Sequence, residues 1–264
     1  MRVSIVTPSF NHARFIERTI DSVLSQRGDF DLDFRVLDGG STDGTVDILK
    51  RYGDRIKWTS ERDKGQVDAI NKGLRAATGD IVGWLNSDDV LMPDAIARVV
   101  EAFQNNPRTE WVHGRCRIID EHDREVRRWI SAYKHYRAQR HSLGSLLTEN
   151  YVSQMTVFWR RHVHAAIGFL DDSFKYAFDY DLWVRLAERT DPVYIEEPVA
   201  CFRWYETSKS GEGFVVQMTE TADRGARASS ASAWTYLSAN VKKSAIINIY
   251  RALGYARAVA ARRR

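Results

Sequence analysis

Two adjacent carboxylates follow an apolar run in the first half of the chain. The run is IVGWL, residues 81–85, and Asp88 and Asp89 come shortly after it in the segment LNSDDV. Mg²⁺ and Mn²⁺ prefer oxygen ligands and are commonly shared between one or two carboxylates and the phosphates of a substrate. The pair therefore indicates a divalent metal site beside a diphosphate, to which Asn86 could add a neutral oxygen. The alternative is an ordinary turn in which Asp89 caps the next helix.

Asp38 begins a glycine-rich segment, DGGSTDGT, over residues 38–45. A carboxylate in such a segment can accept hydrogen bonds from a nucleotide base or a ribose, and glycines let the backbone approach a ligand closely. The alternative is a tight turn before a capped helix. The segment has neither the GxGxxG pattern of dinucleotide-binding folds nor the GK[ST] ending of P-loop ATPases, which argues against both classes.

The segment FDYDLWVRLAER, residues 178–189, predicts a helix with two aspartates in its first turn. Asp181 lies four residues before Arg185, which is the spacing of a helical ion pair, and we expect it to be structural. Asp179 shares a face with Trp183, which we expect to pack inward. A carboxylate in that position either caps the helix or takes the proton of an attacking hydroxyl group as a general base.

The elements that must position these side chains alternate in the first half of the chain. Short apolar runs predict strands at residues 3–7, 33–37, 56–60 and 81–85. The segments between and after them repeat apolar residues with the period of a helix that lies on a sheet. This order predicts an α/β fold with a mostly parallel sheet and helices on both of its faces.

The unusual polar residues of the first half all follow predicted strands. They are Ser9, Asn11, Asp38, Asp88 and Asp89. Because open sheets of this kind bind ligands at the carboxyl ends of their strands, we expect these residues to converge on one binding cleft.

The second half of the chain is less regular. Residues 110–130 predict two strands joined by a polar turn, and residues 153–159 form an apolar run before a helix near residues 161–167. Residues 193–204 predict one or two strands. Beyond about residue 212, a stretch of small residues precedes two helical patterns that end in three arginines.

Composition and charge exclude several classes of protein. Of the 264 residues, 44% are hydrophobic and 28% are charged, as in a folded domain with a full core. The net charge of +4 suits anionic ligands such as nucleotide phosphates, but the basic residues are scattered without a nucleic-acid-binding motif. Two cysteines without CxxC spacing favour a reducing compartment. With no signal peptide and no run of ~20 apolar residues, we expect a cytoplasmic protein.

Six segments, in this order, resemble the large family of inverting glycosyltransferases called family 2, which includes bacterial cell-wall and exopolysaccharide transferases. They are VSIVTPSFN (3–11), DGGSTDGT (38–45), SERDKGQVDAINKGL (60–74), GDIVGWLNSDDVL (79–91), QMTVFWRR (154–161) and FDYDLWVRLA (178–187). The resemblance covers roughly residues 1–210 and implies that family's GT-A fold, a Rossmann-like, mostly parallel sheet flanked by helices. We therefore expect three parts: a nucleotide-binding half (1–110) and an acceptor-binding half (111–212) of one domain (1–212), then a C-terminal helical extension (213–264).

The resemblance also implies roles for individual residues, position by position. The nucleotide-sugar donor, commonly UDP-linked in this family, would contact ten residues: Thr7, Pro8, Ser9 and Asn11 beneath the nucleotide, Asp38 at its base, Lys64, Gly65 and Asp68 along the nucleotide and its sugar, and Asn86 and Ser87. A divalent metal ion, Mg²⁺ or Mn²⁺, would be held by Asp88 with help from Asp89. Asp179 would be the catalytic base, and Gln154 and Trp159 would line the acceptor side.

The implied reaction moves the sugar in one step to a hydroxyl group of a glycan or a lipid-linked saccharide. Asp179 would take the proton of that hydroxyl group while the metal neutralises charge on the departing diphosphate, and the anomeric centre would invert. Three positions depart from the family's usual pattern: Asn86 stands for the first aspartate of the metal motif, Phe178 for a glutamate before the base, and Tyr205 for a histidine.

Two other classes of protein share parts of this pattern. A nucleotidyltransferase also combines an α/β sheet with a metal carboxylate, but it is expected to begin with a glycine- and arginine-rich loop, which VTPSFNHARF at residues 6–15 is not. A non-catalytic module that binds sugars or nucleotides would need no general base, and the sequence leaves that alternative open.

The C-terminal segment, residues 236–264, predicts a basic amphipathic helix. Its apolar face is Ile246, Ile249, Tyr250 and Leu253, and the surrounding cations are Lys242, Lys243, Arg251, Arg257 and Arg262 to Arg264. Such a helix can lie peripherally on the inner face of an anionic membrane, where lipid-linked acceptors would be found. A helix that packs on the domain and leaves its basic end in water is an equal alternative.

Overall fold

The computed structural model describes residues 1–208 and 213–261, and the side chains of the last helix as far as residue 248. The eight strands among the described residues are β1 (Arg2–Ser9), β2 (Asp31–Asp38), β3 (Lys57–Ser60), β4 (Ile81–Trp84), β5 (Val90–Leu91), β6 (Trp111–Ile119), β7 (Phe158–Arg160) and β8 (Val193–Arg203). The predicted basic side chains of Arg251, Arg257 and Arg262 to Arg264 lie outside the described part.

Helices surround the strands. The α-helices in the described part of the chain are α1 (Ile16–Leu24), α2 (Thr45–Tyr52), α3 (Gln66–Ala76), α4 (Ala95–Asn105), α5 (Arg128–Ala138), α6 (Leu143–Thr148), α7 (His164–Ile167), α8 (Phe178–Ala187), α9 (Phe214–Ala226) and α10 (Ala233–Ala261). Single 3₁₀ turns lie at Gly53–Arg55, Gln154–Thr156 and Arg161–Val163.

All eight strands belong to one sheet, in the order β3-β2-β1-β4-β7-β6-β8-β5. The first four are parallel neighbours, as are β6 and β8, whereas β7 and β5 run antiparallel to the strands beside them. The predicted α/β fold with a mostly parallel sheet is therefore confirmed. Residues 193–204, for which one or two strands were expected, contain the single strand β8.

Apolar side chains cover both faces of the sheet because successive residues of a strand point to opposite sides. In β1, Val3 and Ile5 pack in one layer with residues of α1, α2 and α4. Val6 packs on the other face with residues of α3 and α8. This second layer contains a cluster of four tryptophans: Trp84, Trp111, Trp159 and Trp183.

The segment after β6 differs from the prediction. Two strands are expected between residues 110 and 130, but the structure has β6 followed by one bridged pair, Ile119 with Glu125. Asp120 accepts hydrogen bonds from two backbone N–H groups of the turn that follows, which bends the chain into a tight loop. The chain then forms α5, which begins at Arg128 and was not predicted.

Helix α3 lies close to β1 and β2 because a glycine stands at the contact. A Cβ atom at Gly73 would overlap Cγ1 of Val6 and would lie 2.9 Å from Cδ2 of Leu37. This close approach holds the N-terminal end of α3 beside the carboxyl ends of the neighbouring strands.

Replacing Gly73 with alanine should therefore lower the free energy of unfolding. Overpacking costs about 1–3 kcal/mol, and the better helix propensity of alanine returns about 1 kcal/mol of that. Gly144→Ala is the matched control, because Gly144 lies in α6 and an added Cβ would meet nothing within 4 Å. Urea denaturation should show Gly73→Ala less stable than Gly144→Ala. Equal stability of the two variants would show that α3 does not lie this close to the sheet.

Candidate functional site

The carboxyl ends of three parallel strands lie side by side. Ser9 at the end of β1 is in register with Asp38 at the end of β2, and Asp38 is in register with Ser60 at the end of β3. The sheet therefore brings Ser9 and Asp38 to a common edge, as the sequence predicts, and places the unpredicted Ser60 beside them.

Asp38 holds the loop that follows β2. Its carboxylate accepts hydrogen bonds from the backbone N–H groups of Gly40 (3.1 Å) and Ser41 (2.9 Å). The hydroxyl groups of Ser41 (2.5 Å) and Ser60 (2.7 Å) also donate to it. Because these donors leave Asp38 only 2% exposed, its carboxylate is turned into the protein. These hydrogen bonds give Asp38 a role in shaping the loop, and its predicted contact with a base stays a prediction.

The loops after β1 and β2 are bound to each other. The backbone N–H of Asn11 donates to the hydroxyl of Ser41 (2.7 Å), and the side-chain oxygen of Asn11 accepts from the backbone N–H of Thr42 (2.9 Å). Asn11 adopts a left-handed backbone with φ of 53°, which asparagine tolerates better than most residues. The two loops therefore form one rigid rim at the sheet edge.

The remaining predicted residues of β1 lie beneath this rim. Thr7, Pro8 and Ser9 are buried at the end of the strand. The hydroxyl groups of Thr7 and Ser9 have no hydrogen-bond partner among the residues that the structure describes. Buried polar groups without partners are uncommon in proteins. Here the two hydroxyl groups lie at the end of β1, below the two joined loops.

His12 connects the rim to the segment after β4. Its Nδ1 lies 2.5 Å from the hydroxyl of the buried Ser87, and its backbone N–H donates to the hydroxyl of Thr45 (3.1 Å). This role could not be predicted from residue spacing, since His12 matches no metal-ligand pattern. Its position next to Asn11, in a loop already expected to bind a ligand, was the available signal.

Asn86 is the centre of a second network. Its amide oxygen accepts from the side chain of Gln66 (2.9 Å), and its amide nitrogen donates to Gln154 (3.0 Å) and to Asp89 (3.2 Å). Gln154 in turn donates to the backbone oxygen of Trp84 in β4 (2.7 Å). Asn86 and Gln154, predicted on opposite sides of the site, are therefore in direct contact, and Gln66 joins them without having been predicted.

Asp89 is a structural residue. It is 0% exposed, and it accepts hydrogen bonds from the backbone N–H of Arg203 (2.9 Å) and from Asn86. Burial, and then the neighbouring charge of Asp88, raise the pKa of Asp89 well above its ordinary value. These contacts give Asp89 a structural role, and its predicted help to Asp88 in holding a metal ion stays a prediction.

Asp88 is only partly buried and remains the candidate metal ligand. Its carboxylate accepts a hydrogen bond from the hydroxyl of Tyr205 (2.9 Å), and its backbone oxygen accepts from the buried guanidinium of Arg203 (2.8 Å). Burial and the charge of Asp88 raise the pKa of Tyr205, so its hydroxyl stays protonated and able to donate. Within the described residues, no group of three or more histidine, cysteine, aspartate or glutamate side chains could hold a metal ion by itself.

The start of α3 forms a further side of the site. Gly65, with φ of 112°, directly precedes the helix. Asp68 in the first turn accepts a hydrogen bond from the backbone N–H of Lys64 (3.1 Å) and pairs with Lys72 (3.3 Å). These contacts lower the pKa of Asp68 and fix the exposed Lys64 at the positive end of the helix.

Asp179 lies partly buried in the first turn of α8, where it accepts a hydrogen bond from the backbone N–H of Tyr180 (2.6 Å). Burial lowers the pKa of Lys134 on α5, and the charge of the nearby Asp179 is among the effects that oppose this shift. The ammonium of Lys134 also lies 3.4 Å from the hydroxyl of Ser153, the neighbour of Gln154. Lys134 therefore lies near both Asp179 and the segment that contains Gln154.

Two other predictions concern α8 and β7. Asp181 pairs with Arg185 (2.7 Å), which confirms that it is structural, and it also pairs with Arg224 of α9 (2.5 Å). Trp159 is 0% exposed and donates its indole N–H to His164 (3.0 Å). It belongs to the tryptophan layer under the sheet and therefore has a packing role, and its predicted contact with an acceptor stays a prediction.

The sequence and the fold of this chain are similar to those of known proteins. The sequence model of glycosyl transferase family 2 matches residues 4–165. Chondroitin synthase from Escherichia coli is 31% identical over 189 residues, which amount to 70% of this chain. The chain spans only 26% of the length of that synthase.

Two solved structures share the fold. TarS from S. aureus in complex with UDP has a TM-score of 0.64 at 16% identity, over 89% of this chain and 68% of that one. The mannosyltransferase PcManGT from Pyrobaculum calidifontis, in complex with GDP-Man and Mn²⁺, has a TM-score of 0.65 at 17% identity, over 96% of this chain and 80% of that one. The predicted GT-A fold is confirmed by these likenesses.

The structural role of Asp38 can be tested without any ligand. Asp38→Asn should lower the free energy of unfolding by about 1–3 kcal/mol, because the amide cannot accept all the hydrogen bonds that the carboxylate accepts. Asp31→Asn, an exposed position at the other end of β2, should change stability little and is the matched control. Urea denaturation of both variants measures the difference. If Asp38→Asn is as stable as Asp31→Asn, the carboxylate does not hold the loop.

Proposed function

Because the match to the family spans more than half of its length, this chain belongs to glycosyl transferase family 2, and we propose that it transfers a sugar from a nucleotide-diphosphate sugar to a hydroxyl group of an acceptor. The proposed donor is UDP-linked, and the proposed acceptor is a glycan or a lipid-linked saccharide. One observation carries this proposal: the hydrogen-bonded loops after β1, β2 and β4 meet at one edge of the sheet, beside the partly exposed carboxylate of Asp88.

The donor side is supported by the shape and charge of the rim. The glycines after Asp38 and the left-handed Asn11 bring backbone close to the cleft, which suits a flat base and a ribose. The N-terminal end of α3 and the exposed Lys64 supply positive charge for a diphosphate. TarS and PcManGT, which share the fold, were solved with UDP and with GDP-Man.

A divalent metal ion, Mg²⁺ or Mn²⁺, fits the oxygen donors of this site. Such ions are commonly bound by one or two carboxylates together with substrate phosphates, so Asp88 is sufficient as the protein's charged ligand. PcManGT was solved with Mn²⁺. When bound, the ion would neutralise negative charge on the departing diphosphate.

Asp179 is the proposed general base. Its carboxylate lies partly buried in the first turn of α8, where it accepts a hydrogen bond from the backbone N–H of Tyr180. Its carboxylate would take the proton of the acceptor hydroxyl as that oxygen forms a bond to the anomeric carbon. The bond from this carbon to the diphosphate breaks in the same step, its electron pair leaves with the phosphate, and the anomeric centre inverts.

Peripheral contact with a membrane is a separate proposal for α10. No helix in the described part of the chain has the length and apolarity needed to cross a membrane. Lys242 lies 2.8 Å from the hydroxyl of Thr148 and 3.6 Å from the carboxylate of Glu149, so the helix packs on the domain at this point. Trp234 and Val241 remain exposed and are available for an interfacial contact.

Asp179→Asn should abolish sugar transfer and leave donor binding unchanged, because the amide keeps the size of the side chain but cannot accept the proton. Transfer is measured as UDP release from a panel of UDP-sugars with acceptor glycans, and donor binding as thermal stabilisation by UDP. Asp172→Asn, at an exposed position before α8, is the matched control and should keep full activity. Transfer at the wild-type rate by Asp179→Asn would remove Asp179 from the mechanism.

Asp88→Asn should remove the extra thermal stabilisation that Mn²⁺ adds to the stabilisation by UDP, since tighter binding to the folded protein raises its apparent stability further. Asp94→Asn is the matched control: this exposed residue has a left-handed backbone (φ of 59°) that asparagine adopts readily. We expect the additional thermal stabilisation by Mn²⁺ in the wild type and in Asp94→Asn only. A full shift for Asp88→Asn would place the metal elsewhere.

A further inference from the structure

A cleft of about 920 Å³ lies beside the candidate metal ligand. It is formed by the turn after β6, the start of α5 and the segment after β8. The hydroxyl of Tyr205, which lines the cleft, donates a hydrogen bond to the carboxylate of Asp88. The cleft therefore opens next to the place where the sugar would leave the donor.

Two tryptophans, Trp129 and Trp204, line this cleft. Trp204 lies in its wall, with the guanidinium of Arg127 3.5 Å from the centre of its ring. Trp129, in the first turn of α5, is 61% exposed. Large aromatic rings presented to water beside a cleft commonly mark a binding surface. The flat faces of indole rings suit the C–H faces of pyranose sugars.

The polar lining of the cleft suits a sugar. Four carboxylates line it, those of Asp120, Glu121, Glu125 and Glu206. Three of them are paired with arginines: Asp120 with Arg124 (2.8 Å), Glu121 with Arg14 (2.5 Å) and Glu125 with Arg128 (3.3 Å). The lone pairs that these ion pairs leave can accept hydrogen bonds from sugar hydroxyl groups.

The aromatic surface continues along α5. Tyr133 and Tyr136 follow Trp129 at helical spacings of four and three residues, and all three side chains are exposed on one side of the helix. They span about 10 Å along the axis at 1.5 Å per residue. The hydroxyl of Tyr133 donates to Glu149 (2.9 Å), and the guanidinium of Arg140 lies 4.0 Å from the centre of the Tyr136 ring, so both rings are held in place.

We propose that this cleft is the acceptor site and that it takes a glycan of more than one sugar, with Trp129 and Trp204 stacking on sugar rings and the rest of the glycan following α5. This inference rests on the proposed transfer reaction. Tyr205 in the wall of the cleft is hydrogen-bonded to Asp88, so the proposed acceptor lies beside the candidate metal ligand, where its hydroxyl group must react.

The test measures binding of fluorescently labelled protein to a printed array of bacterial and mammalian glycans. The wild type should bind at least one oligosaccharide, and Trp129→Ala should weaken that binding by at least about 10-fold, as expected when a central aromatic contact is truncated. Trp234→Ala is the matched control, because Trp234 is 74% exposed on α10, outside the cleft, and its loss should leave glycan binding unchanged.

Binding of no glycan by the wild type, or equal binding by Trp129→Ala, would overturn the acceptor site. Flotation with phosphatidylglycerol vesicles is a second measurement. If Trp129→Ala loses vesicle binding but keeps glycan binding, α5 contacts a membrane and the acceptor site is overturned. Thermal stabilisation by UDP and Mn²⁺ separates the two proposals. Its absence in the wild type contradicts the proposed transferase, and its presence in Trp129→Ala shows that the variant is folded with an intact donor side.

Discussion

A carboxylate that is removed from water must be surrounded by hydrogen-bond donors, and this requirement organises the site. Asp38 and Asp89 are both buried near the ends of parallel strands. The donors to Asp38 come from its own loop and from β3, and those to Asp89 come from Asn86 and from the backbone of β8. Segments distant in sequence are thereby fixed around the partly exposed Asp88 before any ligand binds, which is the preorganisation that a group-transfer site needs.

The strands and helices of the first half could be predicted because their apolar residues follow regular periods and pack on one sheet. The segment between β6 and β7 could not. Helix α5 has its large side chains, such as Trp129 and Tyr136, exposed to water and small ones, such as Ala138, buried, so its pattern marks no face for the core. The turn before it depends on hydrogen bonds to Asp120, which replace a second strand pairing.

The sequence located the segments of the site but not the direction that each side chain takes. Whether Asp88 or Asp89 is buried depends on a contact with Arg203, 114 residues later in the chain. Gln66 had no sequence signal, because its partner Asn86 lies on another element. Trp159 looked like a binding residue in a matching motif, yet its strand position directs it into the tryptophan layer.

We propose that the loops after β1, β2 and β4 form one donor cleft beside Asp88. A crystal structure of the full chain with UDP and Mn²⁺ would show whether they do. We expect UDP along the rim formed by Asn11 and the loop after β2, with its diphosphate at the start of α3 and Mn²⁺ bound to the carboxylate of Asp88. UDP on another face of the sheet, or Mn²⁺ away from Asp88, would overturn this arrangement.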